Sequence, residues 1–263
     1  MDTSWYFIRF GLFVTGISER KALPQLFQIL EKNGICKFEL IRYVKQRSPI
    51  TSKKKKLKMV GTGKTIPTKD EQDIGLPARK YISLDDHHYV ILIDDLEYSR
   101  RNIANQVFNR YRKAFDTILT PEQRHRASVH FLVNMLEAYY FADANAINKV
   151  LKLSPPLKDY QGDVETIRHP KNDLKKIHKP FKEVSDGEKI LAVLNIQHVL
   201  SNPKTCAWLR TLFAWCVYIL SQNSYFDYKD IYQLENGLYS DITKVQLSYD
   251  RIFDAKNKQG ENT

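Results

Sequence analysis

The hydrophobic positions of the chain form short continuous runs near its start. Residues 6–14 are rich in aromatic and branched side chains and predict a buried strand. A turn follows at 15–18, Ser18 is placed to cap a helix over residues 19–31, and residues 36–44 alternate like a second strand. The opening therefore predicts a strand–helix–strand unit.

The strongest strand pattern lies at residues 89–93, which are all apolar or aromatic. A run without polar alternation is typical of a central strand in a parallel sheet, because helices cover both faces of such a sheet. Further helices are predicted at 102–117, 136–151, 187–200 and 203–221, and a further strand at 130–133. We therefore expect an α/β fold with a mostly parallel central sheet flanked by helices and a helical C-terminal portion.

The polar segment 46–80 separates the second predicted strand from the central one. It contains five lysines between 53 and 58 and predicts a basic loop or a β-hairpin arm. We divide the chain into an α/β core at 1–160, a mainly helical extension of the same domain at 161–255, and a disordered tail at 256–263.

The charge balance favours an anionic partner. The chain has 41 Lys and Arg against 30 Asp and Glu, a formal net charge of +11. A field of this sign attracts nucleic acid, although a solvated basic surface explains the same count. The basic residues predicted to contact nucleic acid are Lys53, Lys54, Lys55, Lys56, Lys58, Arg100, Arg101 and Arg110.

The sequence predicts a cytoplasmic protein without membrane contact. No apolar run reaches the roughly 18–20 residues that a membrane span needs, and no basic start precedes an apolar stretch. The three cysteines are an odd number without CxxC spacing, which fits a reducing compartment better than a disulfide framework.

Acidic residues follow the predicted central strand directly: Asp94, Asp95 and Glu97. Sites in open α/β sheets form at the carboxyl ends of strands, and crowded carboxylates favour a cation such as Mg²⁺. A solvated turn in which Asp94 caps the next helix fits equally well. At the first strand end, Gly16 permits close approach of a ligand, whereas Glu19 is also explained by the helix dipole.

Three blocks of sequence, at residues 13–24, 91–97 and 136–143, resemble a known family. The chain resembles a bacterial domain-of-unknown-function family of Toprim-like proteins related to the RloB and OLD (overcoming lysogenization defect) nucleases. Weaker matches at 169–176 and 181–187 extend the resemblance over most of the chain. The block that contains Glu137 and Asp143 is the most specific.

The resemblance implies a Toprim-like fold and Mg²⁺- or Mn²⁺-dependent cleavage of DNA or tRNA. It also implies an ABC-like ATPase as a partner and a role in antiphage defence. Carried over by residue, the metal ligands are Asp94, Asp95, Glu97 and Glu137. The catalytic residues are Glu19, Asp94, Asp95 and Glu137.

Three positions depart from the family pattern. Thr15 stands where a catalytic Glu is expected, and Asn134 and Met135 stand where the family often has His and Glu. Glu19 lies one helical turn beyond Thr15 and would have to reach back to supply the missing carboxylate. The alternative hypothesis is therefore a catalytically degenerate adaptor or sensor subunit, which binds the ATPase or nucleic acid without cleaving.

Overall fold

Four parallel strands form one sheet in the computed structural model, which describes residues 6–32, 34–48 and 66–223. The strands are β1 (Ile8–Val14), β2 (Cys36–Tyr43), β3 (His88–Leu96) and β4 (Ala127–Val133). Their order is β2-β1-β3-β4, and every neighbouring pair is parallel. The order reverses between β1 and β3, which is where open α/β sheets place their ligand sites. The α/β prediction is confirmed.

Helices cover both faces of the sheet. They are α1 (Ile17–Leu26), α2 (Gln28–Glu31), α3 (Leu76–Ile82), α4 (Ala104–Ile118), α5 (Pro121–Arg124), α6 (Ala144–Leu151), α7 (Pro170–Ile177), α8 (Glu183–Val193), α9 (Ile196–Ser201) and α10 (Ala207–Asn223). Shorter 3₁₀-helical segments lie at Tyr98–Ile103, Leu136–Ala142 and Val164–Thr166. Within the described ranges, no helix combines the length and apolar character needed to cross a membrane.

Strand alternation divides the core into two layers. Phe10 of β1 and Ile91 of β3 face a layer that includes α1, α8 and α10, and Trp215 of α10 packs edge-on against Phe10. Phe13 and Leu92 face the opposite layer, built by α3 and α4. Successive residues of β3 therefore point into different layers, which decides where its two aspartates go.

The structure corrects the loop predicted at 46–80. Residues 71–75 form a π-helical turn that continues into α3, while Lys53, Lys54, Lys55, Lys56 and Lys58 lie outside the described residues. Ile74, Ala78 and Ile82 are buried at a spacing of four, as on one helix face. This helical period is present in the sequence, although the neighbouring lysines make the segment resemble a polar loop.

Three further boundaries differ from the prediction. Gly16, not Ser18, precedes α1, and the helix predicted to run to residue 31 breaks at Phe27. The helix predicted at 187–200 is divided, because Asn195 caps a separate helix by accepting a hydrogen bond from the backbone of His198. β3 continues to Leu96, so Asp94 and Asp95 are paired strand residues and not part of a turn.

Candidate functional site

Asp94 points into the α4 layer and is fully buried. The Thr15 hydroxyl donates to its Oδ1 at 2.6 Å, and Arg100 Nη2 donates to its Oδ2 at 2.9 Å. The Tyr111 hydroxyl also donates to Oδ2, at 3.0 Å. Because Arg100 balances its charge and donors surround it, Asp94 ties β1 and β3 to α4 in this structure.

Asp95 points into the opposite layer, towards Glu19 and Glu137. Burial raises the pKa of Asp95 well above its usual value, and the nearby carboxyl groups of Glu19, Glu137 and Asp94 raise it further. Asp95 Oδ1, Glu19 Oε2 and both carboxyl oxygens of Glu137 are buried without a hydrogen-bond partner among the described residues. We call Glu19, Asp95 and Glu137 the carboxylate cluster.

Glu19 reaches the cluster by folding back over Gly16. A Cβ built on Gly16 would lie 1.5 Å from Glu19 Oε2, so any larger residue would displace the carboxyl group. Thr15, in contrast, lies on the other layer with Asp94. The structure thus brings the carboxyl group of Glu19, and not the side chain of Thr15, towards Asp95.

Glu137 is brought to the cluster by a strained turn after β4. Asn134 and Met135 both adopt positive φ, at 56° and 75°, which is uncommon for residues other than glycine. Asn134 donates its backbone N–H to Leu96 O at 2.9 Å and its side-chain N–H to Glu165 O at 2.8 Å. Strain of this kind costs about 1–3 kcal/mol per residue and concentrates at functional sites.

Lys171 of α7 is a cation of the site that the sequence prediction did not include. Its Nζ lies 2.6 Å from Glu183 Oε1 and 3.7 Å from Glu137 Oε1. Partial burial opposes its charge, but Glu137 and Glu183 raise the pKa of Lys171 above its usual value. Burial raises the pKa of Glu137 to about 7 although Lys171 acts in the opposite direction. The only signal for Lys171 in the sequence was the weakly matching block at 169–176.

A protein-family model described as a domain of unknown function, DUF4276, matches residues 14–213. The chain belongs to the DUF4276 family. No curated protein and no solved structure matches it. The match runs from the last residue of β1 into α10, so this DUF4276 domain contains the carboxylate cluster and Lys171. The expected domain-of-unknown-function family is confirmed in this form, and its relationship to Toprim, RloB and OLD proteins stays a prediction.

The other predicted site residues of this DUF4276 domain lie apart from the cluster. Glu97 is exposed just after β3. Arg100 binds Asp94, and Arg110 forms an ion pair with Asp70 at 2.6 Å, so both guanidinium groups are engaged inside the domain. Arg101 is exposed, with its Nη1 3.5 Å from Glu165 O. Of the predicted basic contacts within 6–32, 34–48 and 66–223, Arg101 is therefore the one with an exposed side chain.

The carboxylate cluster has the kind of oxygen ligand that a hard divalent cation prefers, but not the arrangement that would hold one. Carboxylate oxygens are the protein ligands that Mg²⁺ and Mn²⁺ prefer, and buried oxygens without partners are costly unless a proton or cation joins them. In the part of the chain that the structure describes, no three Asp, Glu, His or Cys side chains form a group that could hold a metal as they stand. Metal binding would therefore require the side chains to rotate and Lys171 to move away from Glu137.

Proposed function

We propose that this DUF4276 chain is a Mg²⁺- or Mn²⁺-dependent nuclease whose metal is held by Asp95 and Glu137. The observation that supports this most strongly is the carboxylate cluster itself. Three carboxyl groups from α1, β3 and the segment after β4 face one another, with buried oxygens that lack partners among the described residues. They lie where the strand order reverses between β1 and β3.

Each residue near the cluster has a distinct proposed role. When bound, the metal would polarise a phosphodiester and stabilise its leaving oxygen. Glu19 Oε2, held over Gly16, would accept or return a proton of the attacking water. Lys171, once released from Glu137, would donate to a phosphate oxygen, because an ammonium group forms charge-assisted hydrogen bonds with phosphate.

The wider biological setting rests on the family resemblance. An ABC-like ATPase partner, a role in antiphage defence and the relationship to Toprim nucleases stay predictions. The parallel sheet and the acidic carboxyl end of β3 bear on the relationship to Toprim nucleases alone, and they agree with it. A basic chain with a net charge of +11 also suits a nucleic-acid substrate.

The first test is cleavage of plasmid DNA and tRNA by the purified full-length chain, alone and with the ATPase, in Mg²⁺ or Mn²⁺. We expect Asp95→Asn and Glu137→Gln to lower the cleavage rate by about a hundredfold or more, since each removes a ligand charge. Glu97→Gln is the matched control, because this exposed carboxylate lies outside the cluster and should leave the rate unchanged.

The same assay distinguishes the nuclease from the adaptor hypothesis. The adaptor is favoured by the ammonium group of Lys171 beside Glu137 and by the lack of a ready ligand set among the described residues. Metal-independent binding of the ATPase or of nucleic acid, with no cleavage under any condition, would support the adaptor. Cleavage that survives both substitutions in the cluster would remove the metal assignment.

A further inference from the structure

An exposed aromatic ring and an exposed arginine lie together close to the carboxylate cluster. The guanidinium carbon of Arg168 is 4.5 Å from the ring centroid of Tyr98. Tyr98 retains 41% of its accessible surface, and Arg168 is also exposed. A cation–π pair that stays open to solvent offers a flat surface, either of the ring or of the guanidinium plane.

The chain connections place this pair beside the site. Tyr98 follows Asp95 by three residues, and Arg168 precedes Lys171 by three. Since an extended residue spans at most about 3.6 Å, each Cα lies within about 11 Å of that site residue's Cα. Each residue of the exposed pair is therefore joined by a short backbone segment to one residue of the site.

A basic surface continues from Arg168 along α7. Residues 168–179 contain five Lys and Arg and one acidic residue, Asp173. Leu174 is buried against the core, whereas Lys175, Lys176 and Lys179 are exposed. This charge suits a phosphate backbone, whereas exposed Glu97 beside Tyr98 disfavours a phosphate at the ring itself.

We propose that Tyr98 and Arg168 form a stacking platform for an unpaired base, while α7 binds the adjoining phosphates. Bases of a single strand can stack on tyrosine rings and on guanidinium planes, but the faces of paired bases inside a duplex are covered by their neighbours. The substrate class is therefore single-stranded nucleic acid. That the bound strand is also cut rests on the proposed nuclease function, whereas the binding surface does not.

The test compares two probes of equal charge, with the metal removed by EDTA so that no cleavage occurs. One is a fluorescent oligothymidylate of about twelve nucleotides, and the other is its abasic counterpart of the same length. We expect Tyr98→Ala to weaken binding of the oligothymidylate by about tenfold and to leave abasic binding unchanged. Tyr98→Trp should retain the wild-type affinity, whereas Lys175→Ala with Lys176→Ala should weaken both probes.

Tyr6→Ala is the matched control. Tyr6 is 49% exposed and stacks on His87 at 4.2 Å, at the opposite edge of the sheet where β1 and β3 begin. The Tyr6→Ala protein should bind both probes with the wild-type affinity. Unchanged affinity of Tyr98→Ala for the oligothymidylate would overturn the proposal and assign the surface to another occupant. An equal loss for both probes would overturn it too, because that result shows a charge effect without stacking.

Failure of the nuclease proposal would be seen separately. In EDTA, the Asp95→Asn protein should bind the oligothymidylate like the wild type. Adding Tyr98→Ala to it should weaken this binding by the same factor as in the wild type. If no protein cleaves but this dependence holds, the binding surface stands and the nuclease assignment fails. If cleavage requires Asp95 but binding does not depend on Tyr98, the nuclease assignment stands and the proposed binding surface fails.

Discussion

Glu19 and Gly16 show how one residue determines the position of another. In the first turn of a helix a side chain leans towards the N-terminus, and the missing Cβ of Gly16 leaves space for the carboxyl group of Glu19. The φ of Gly16 is −107°, which any residue can adopt. The space, and not the backbone conformation, is therefore what requires glycine at this position.

Gly16→Ala should consequently impair the site more than the fold. The new methyl group would displace Glu19 Oε2, which is the end of a flexible side chain, so we expect a change in the free energy of unfolding within about 1 kcal/mol. Cleavage should fall by about tenfold or more, because the displaced carboxylate no longer meets Asp95. Thermal unfolding and the cleavage assay measure the two effects. Wild-type cleavage by a correctly folded variant would contradict the role given to Glu19.

At the residue scale, the sequence predicted the acidic candidates but not how they are distributed. Asp94 and Asp95 were expected together at the end of the central strand, either in a metal site or in a solvated turn, although strand alternation sends adjacent residues to opposite layers. Only the pairing of Asp94 with Phe131 and of Asp95 with Leu132 shows that the strand includes both. The sequence could not show that β4 would extend this far along β3.

At the scale of elements, a further buried carboxyl group contacts the start of α10: Glu165 of the 3₁₀ segment Val164–Thr166. Glu165 is 2% exposed and accepts hydrogen bonds from the Tyr139 hydroxyl and from the backbone N–H of Trp208, both at 2.9 Å. Burial raises the pKa of Glu165 to about 8, against these two hydrogen bonds. Its other contacts reach Asn134, so α10 is linked to the strained turn that positions Glu137.

The raised pKa of Glu165 predicts a pH-dependent stability. The folded state binds the proton more tightly than the unfolded chain, whose Glu pKa is about 4.3. The resulting stabilisation is complete below the unfolded pKa and is lost as the pH rises through about 8. Glu165→Gln keeps an acceptor oxygen but cannot ionise, so from about pH 5 to about pH 8 its unfolding free energy should rise relative to wild type.

Denaturant unfolding of both proteins across this pH range measures the difference. Glu97→Gln is a suitable control, because an exposed carboxylate should leave the pH dependence of unfolding as it is in the wild type. Parallel pH profiles for Glu165→Gln and the wild type would show that Glu165 titrates alike in both states.

At the scale of the whole molecule, a metal held by Asp95 and Glu137 would link the segments that carry these two residues. Its binding should depend on pH. Burial raises the pKa of Glu137 to about 7 and that of Asp95 well above its usual value, so protons compete with a cation at the cluster. We expect Mn²⁺ to raise the midpoint of thermal unfolding more at about pH 8 than at about pH 6. Glu137→Gln should reduce this increase. An equal increase at both pH values, or in the variant, would contradict binding at the cluster.

For the whole molecule, the buried strands could be predicted from the sequence more readily than the contacts of charged residues. The apolar run at 89–93 was enough to predict a central parallel strand, because burial on both faces leaves a direct mark in the sequence. The ion pairs were harder to predict. Arg100 pairs with Asp94 across a turn, and Arg110 pairs with Asp70, which is far away in the sequence. Which arginine meets which acid depends on tertiary structure that periodicity does not contain.

The wide spacing of the carboxylate cluster along the chain has a consequence for synthesis. Glu19, Asp95 and Glu137 leave the ribosome in that order, and Lys171 follows later. A nascent or prematurely ended chain that stops before residue 127 lacks β4, the strained turn and the third carboxyl group. Translation thus delivers the third carboxyl group only in the second half of the domain, so shorter products carry no complete cluster.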